Sequence, residues 1–446
     1  MKKEYTKTGK KMAISNYAIR AILIIVTFIS FVNLTFAQEK KVPIRETVFE
    51  AAQIDSIAFD KVKVDVGGDF AIQYQTLDHH ANGANLIPLG SNFNLPTANM
   101  NIGAFLEKGV YVKLETYLSA RHHNETWVKG GYLLLDQMPF IKSDAIENIM
   151  KYMTLKVGVM ELDFGDAHYR RSDNGNTVRN PFVGNYIMDA FTTAPGLELT
   201  FRNNGLIAMG GVTTGTLKPA LTSYSAASKK YTAYNGESIL AFYGKIGYDK
   251  QVNEDLRLRG TASIYNCGKH YGGTLYNGDR AGSRYYFVMN RETFSPDDVD
   301  VTKNHTSGRW SPGSHNAINA IMFNLFAKYK GLELFGTYEI ANGTNPSKTK
   351  FNFGQYAVEG IYRFGGHEQF FGGARYNSVI NSVKKYNANS TVDDPSVDRL
   401  QFALGWFFTK NIIMKVEYMQ QKYNKFPIYG TDAGFDGVIV EAAISF

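Results

Sequence analysis

The feature that most constrains this chain is a two-residue alternation of apolar and polar side chains that recurs from residue 61 to the end. In the first such stretch Val62, Val64, Val66, Phe70, Ile72 and Tyr74 fall on one face, and Lys63, Asp65, Asp69, Gln73 and Gln75 on the other. Successive side chains of a strand point to opposite sides, so the pattern predicts a half-buried strand. Beyond residue 37 no apolar run approaches the ~20 residues that a spanning helix needs.

Similar segments follow at 97–107, 110–121, 126–137, 151–162, 195–202, 206–216, 238–249, 256–266, 317–329, 332–341, 353–364, 368–376, 399–408, 412–423 and 437–446. With the first, they make sixteen. Turn residues such as Lys108-Gly109, Asn204-Gly205, Lys330-Gly331 and Gly365-Gly366 separate one partner of a pair from the next. Longer polar stretches, 77–96, 163–189, 217–235 and 268–316, separate the pairs. A strand-like piece at 283–290 is read as part of the last excursion, and 143–150 as a helix-like connector. The final strand puts Val438, Val440, Ala442, Ile444 and Phe446 on one face, with Ile439, Glu441, Ala443 and Ser445 opposite. A chain that ends inside a strand is explained if that strand pairs with the first, because a free edge in lipid leaves polar groups unsatisfied.

The reading is therefore an all-β fold: a transmembrane antiparallel β-barrel of about sixteen strands, from 61 to 446. Its 28 Tyr, 30 Phe and 42 Gly suit lipid-facing surfaces and aromatic girdles at both interfaces. A secreted β-sandwich or β-helix would show repeats or short, even loops, which are not found. The N-terminus has a basic region (Lys2, Lys3, Lys7, Lys10, Lys11 and Arg20), an apolar stretch from Ala21 to Val32, and Thr35-Phe36-Ala37. This is the pattern of a cleaved signal peptide, 1–37. Residues 38–60 are expected to form a periplasmic arm, with a short amphipathic turn near 48–57.

Signal removal takes six Lys/Arg and Glu4 from the chain, so the formal charge of +7 falls to +2. A nucleic-acid partner loses its electrostatic support. The expected partners are outer-membrane lipid, small hydrophilic solutes or anions, and further copies in a homotrimer. The location is the outer membrane of a Gram-negative cell.

With both termini periplasmic, the tight turns share their side and the long loops lie outside, the 138–150 connector excepted. The third external loop, 163–189, is too long and polar to be an ordinary connection, yet it carries Phe164, Tyr169, Phe182, Tyr186 and Ile187. It is expected to fold into the lumen and narrow a pore. Arg170, Arg171 and Arg179 are the candidate cationic lining. Asp163, Asp166, Asp173 and Asp189 either oppose them or tie the loop to the wall, with Gly165, Gly175 and Gly184 supplying turns. The competing reading is a solvated external loop. Strand parity assigns Lys63, Lys113, Arg121, Lys156, Arg202, Lys245, Arg257, Arg259, Lys328, Arg363, Arg375 and Lys415 to the lumen. It also assigns Asp65, Asp69, Glu115, Glu198, Glu333, Glu359, Glu417 and Glu441 there. Either a mild anion preference or a cation-neutral pore follows.

The layout resembles the phosphate-selective porin O and P type family. The likeness lies in the signal peptide, the sixteen-strand pattern, the strand 151–162 running into Phe164-Gly165, and the terminal Phe446. That resemblance implies an outer-membrane porin for passive diffusion, with an anion or phosphate preference. A non-conducting structural or secretion-complex barrel is the alternative. No catalytic motif, cofactor site or metal site is expected: the pairs His79-His80 and His122-His123 read as surface residues, and the lone Cys267 as incidental. Arg170-Arg171-Ser172-Asp173 keeps a barrel hydrolase in view, since such enzymes set a Ser or Asp beside a His.

Overall fold

In a computed structural model of the chain, the described residues are 44–446 apart from 46, 52, 55–56, 120, 122–124, 174–175, 219–221, 226–227, 234–239, 269–271, 279–283, 293–301, 303 and 383–392. The proposed signal, most of the N-terminal arm's start, His122 and His123 lie outside them.

The alternating segments are strands, and they close on themselves. We number them β1 (Lys63–Ala81), β2 (Thr97–Glu107), β3 (Val110–Leu118), β4 (Trp127–Leu135), β5 (Met153–Glu161), β6 (Thr193–Asn203), β7 (Leu206–Thr213), β8 (Ala241–Gln251), β9 (Leu256–Cys267), β10 (Ala317–Tyr329), β11 (Leu332–Thr344), β12 (Lys350–Phe364), β13 (Phe370–Asn381), β14 (Ser396–Thr409), β15 (Ile412–Asn424) and β16 (Ala433–Ser445). Each pairs antiparallel with its sequence neighbours. β1 closes the ring, pairing with β2 from Lys63↔Phe105 to Ala71↔Thr97 and with β16 from Asp69↔Ser445 to Ala81↔Ala433. The connector includes one helix, α1 (Asp144–Met150).

The two faces of the wall differ as the alternation requires. On β10, Ile321, Phe323 and Leu325 are exposed (43, 49 and 71%), while Ala320, Met322 and Asn324 between them are buried. On β15, Lys415, Glu417, Met419 and Gln421 are buried, and Val416 and Tyr418 are exposed. An apolar outside and a polar inside invert the soluble pattern and match what lipid demands of a barrel. Near the tight-turn end, Phe364, Phe370, Trp406 and Phe408 form an outer chain of rings, with centroids 5.6, 5.6 and 4.3 Å apart in that order. Tyr356 and Tyr376 pair at 5.9 Å farther up the same sheet. Tyr356 is eight residues from Phe364, about 26 Å of strand at ~3.3 Å per residue.

Turn chemistry follows the sequence. Asn204 and Gly205 both have positive φ (49° and 89°), which is the two-residue turn that matches strand twist. Two readings need correction. β1 runs to Ala81, not to about residue 75: its polar Asp78, His79 and His80 hide the alternation, but β16 supplies a partner all the way. β3 ends at Leu118, so Arg121 sits exposed in the following loop and does not line the inner wall.

Candidate functional site

The inward faces of β8–β16 carry a dense set of buried charges, and three connecting segments are bonded to them. The first is the segment between β5 and β6. Two short 3-10 turns, Ala167–Arg170 and Asn176–Val178, give it local shape. Arg170 donates from Nε to Glu359 (2.9 Å) and from Nη1 to Glu333 on β11 (3.4 Å). Arg171 grips Asp189 with Nε and Nη2, the shorter bond 2.6 Å. Asp166 receives Arg259 Nε and Nη2 at 2.8 Å each, and Thr261 Oγ1 at 2.8 Å. Lys415 Nζ donates to the carbonyls of Thr177 (2.8 Å), Asn180 (3.1 Å) and Phe182 (3.0 Å) while pairing with Glu441 (2.6 Å). The backbone N–H groups of Val183 and Gly184 donate to Glu417 at 2.8 and 3.3 Å.

These contacts revise the roles read from sequence. Arg170 and Arg171 are buried and neutralised, so neither stands as a free cation facing a solute. Asp163, Asp166 and Asp173 are likewise buried: Asp163 with Lys245, Asp166 with Lys245 and Arg259, Asp173 with Lys129. Each of these carboxylates thus pairs with a basic residue of the wall. Arg179 alone of the three arginines is exposed. Arg257, Arg259, Arg363 and Arg375 are on the inner face but committed to carboxylates: Asp249, Asp166, Glu333 and Glu359 in that order. Arg202 reaches the carbonyl of Ala51.

The second segment is the excursion between β9 and β10. Arg284 pairs with Glu441, Tyr285 donates to Glu417 (2.7 Å), and the carbonyl of Gly308 receives Arg399 (3.0 Å) and Gln421 (2.9 Å). It also meets the first segment, with Trp310 N–H on the Ile187 carbonyl at 3.0 Å. The third is the arm before β1, where Thr47 Oγ1 sits 3.2 Å from both Glu333 oxygens and Glu50 takes two 2.7 Å bonds from Arg259.

Packing is one-sided. On the β8–β16 half, Lys245, Glu333, Glu339, Glu417, Gln401, Lys415 and Glu441 have at most 1% exposure. On the opposite wall Asn99, Lys129, Thr154, Glu198 and Thr200 are buried too, but five inner polar residues are only partly buried: Asn101, Lys113, Glu115, Tyr132 and Lys156. Lys113 pairs with Glu115 at 3.2 Å, and Lys156 lies over the Tyr132 ring at 4.8 Å. A bulge between β3 and β4 turns Lys129 inward, where it holds Glu115 (2.8 Å) and Asp173. Sequence parity missed Lys129 because a bulge breaks the period. It also missed His168, a loop residue with no periodicity to betray it.

His168 sets Nδ1 2.6 Å from Glu161 and Nε2 2.8 Å from Asp163. Burial alone would lower its pKa, but hydrogen bonds to Asp163 and Glu161 outweigh that and raise it to about 9. With both ring nitrogens on carboxylates, His168 has no nitrogen free to act as base for Ser172. That hydroxyl donates instead to the Val183 carbonyl at 3.3 Å.

The fold and its interior define a closed sixteen-stranded barrel with a lipid-type exterior and a polar, partly filled inside. No family model matches the chain, and no curated protein does. Among solved structures, the chain is similar to the outer membrane channel DcaP of Acinetobacter baumannii (10% identity, 86% of this chain and 98% of that one, TM-score 0.49). It is similar to an anion-selective porin from Comamonas acidovorans (12%, 86% and 100%, 0.47) and to OmpT, an outer membrane protein of Vibrio cholerae (9%, 89% and 100%, 0.47).

Proposed function

We propose that this chain is an outer-membrane channel of porin type, through which small hydrophilic solutes diffuse passively along the β2–β5 side of the lumen. The observation that carries the reading is the contrast between the two inner walls. One is sealed by bonded segments, and the other keeps a group of partly exposed polar side chains at Asn101, Lys113, Glu115, Tyr132 and Lys156. Sixteen strands enclose more room than side chains alone fill. The segment 163–189 is then the element that narrows the passage, and its paired arginines act by holding it in place. In this reading the chain is not an enzyme, residues 1–37 are its export signal, 38–60 its periplasmic arm, and it assembles as a homotrimer, which light scattering in detergent checks directly.

Any anion or phosphate preference belongs to Lys113 and Lys156, which border the open side, rather than to Arg170 and Arg171. The test is single-channel conductance and zero-current potential of the refolded chain across a KCl gradient, for wild type and Lys113→Glu/Lys156→Glu. A conducting wild type whose potential shifts towards cation preference in the double variant supports the passage. A potential unmoved by reversing both charges removes it. The sealed β8–β16 half favours one second reading, a non-conducting structural barrel, and a folded but silent wild type would establish it.

A further inference from the structure

The arm before β1 crosses the tight-turn mouth of the barrel. Its contacts, read along the chain, move around the rim. Ile44 N–H donates to the His367 carbonyl in the β12–β13 turn (2.7 Å), and Arg45 to the Lys410 carbonyl in the β14–β15 turn (3.1 Å). Thr47 meets Glu333 on β11, and its own carbonyl receives Arg257 Nη1 from β9 at 2.8 Å. Glu50 engages Arg259 on β9 and lies 3.6 Å from Lys245 on β8. Ile54 N–H then donates to Asp136, just past β4, at 2.7 Å. Within about a dozen residues the chain has passed from one side of the mouth to the other.

We propose that the described residues of the arm, 44–45, 47–51 and 53–54, form a strap that closes this mouth and is latched to segment 163–189, so that release of the arm, not the wall alone, sets passage through the barrel. The inference rests on the channel reading above. Two observations carry it beyond a passive tail. Phe49 is buried at 3% exposure, edge-on to Phe326 at 5.2 Å and to Tyr169 at 5.9 Å, with Arg259 over its ring at 4.3 Å. An exposed tail has no reason to anchor an aromatic inside a barrel mouth. The arm and segment 163–189 also share partners: Arg259 holds Glu50 and Asp166 together, and Arg170 reaches Thr47 Oγ1 at 3.3 Å. Charge-assisted pairs of this kind are strong when water is excluded. Unlatching one element therefore loosens the other.

The experiment compares the full mature chain with Phe49→Ala/Glu50→Gln in planar bilayers, with heat-modifiable gel mobility reporting that each barrel has folded. Loss of the aromatic anchor and of the Arg259 pair is expected to raise the time-averaged conductance about tenfold or more. A second variant, Ile44→Cys in a Cys267→Ala chain, keeps the backbone bond to His367 and the Phe49 anchor and is treated with a bulky membrane-impermeant maleimide. Slow labelling that fixes the channel in the high-conductance state is the expected result. If the folded double variant conducts as wild type does, the strap is overturned and the channel stands. Labelling as fast as at the exposed Val48→Cys also overturns it. If wild type and released variants are equally silent, the channel reading fails and the strap falls with it.

Discussion

At the residue scale, what holds the interior is a small number of buried charges, each serving several partners. Lys415 is the clearest case, since one ammonium satisfies three carbonyls of segment 163–189 and the Glu441 carboxylate. Lys415→Met keeps the bulk and removes the three hydrogen bonds and the ion pair. Breaking a buried pair on one side typically costs about 3–5 kcal/mol. Amide hydrogen exchange at residues 177–184 should rise by orders of magnitude in the variant, and unchanged protection would mean that packing, not Lys415, positions the segment. His168 gives a pH signature. Its pKa is raised by Asp163 and Glu161, so the bonding is intact below the ordinary imidazole value near ~6.5 and is lost as pH rises through about 9. Above that, two carboxylates face an uncharged ring. Trypsin cleavage after Arg170 or Arg171 should quicken between pH 8 and 10 relative to a His168→Gln control, and a flat profile would count against the tie. These partners were not legible in the sequence. Parity gives the side of a wall on which a charge lies, but which loop comes to meet it is a tertiary fact.

At the element scale, the sequence was far more informative. Alternation of side chains is local and has one period, so all sixteen strands could be placed by pattern. It failed where the period was interrupted: the polar upper end of β1, the bulge at Lys129, and the tail of the 110–121 segment, where Arg121 looked in phase but the strand had already ended. The closing seam shows how tightly the ends are fitted. Gly68 and Phe446 exchange backbone hydrogen bonds of 3.1 and 2.9 Å, and a Cβ on Gly67 would lie 2.9 Å from the Phe446 carbonyl oxygen. Backbone cannot yield there without shifting the register of the last residue. Gly67→Ala is therefore expected to destabilise the folded barrel by about 1–3 kcal/mol. The urea midpoint of the heat-modifiable form measures it, and an unchanged midpoint would show that the seam has slack.

At the scale of the whole molecule, the barrel is best understood as two unlike halves. β8–β16 are mostly longer strands whose inner charges are all engaged, whereas β2–β7 are short, at eight to eleven residues each. The interior charges of the long half would be expensive to bury without partners, and segments 163–189 and 268–316 supply those partners. Replacing residues 167–187 by a short Gly-Ser linker removes the first of them. Water can then rehydrate Glu359, Glu417 and Lys415, so the wall itself, closed by backbone pairing, should persist. What changes is the open cross-section: conductance and the size limit in a liposome-swelling assay with neutral sugars should both rise, the conductance by about threefold or more, because sixteen strands leave an aqueous lumen once unfilled. A linker variant that folds but keeps the wild-type size limit would show that segment 163–189 is not the constriction. The narrowing would then have to lie at the arm-closed mouth or at the 268–316 excursion, each of which also makes bonds of its own to the β8–β16 wall.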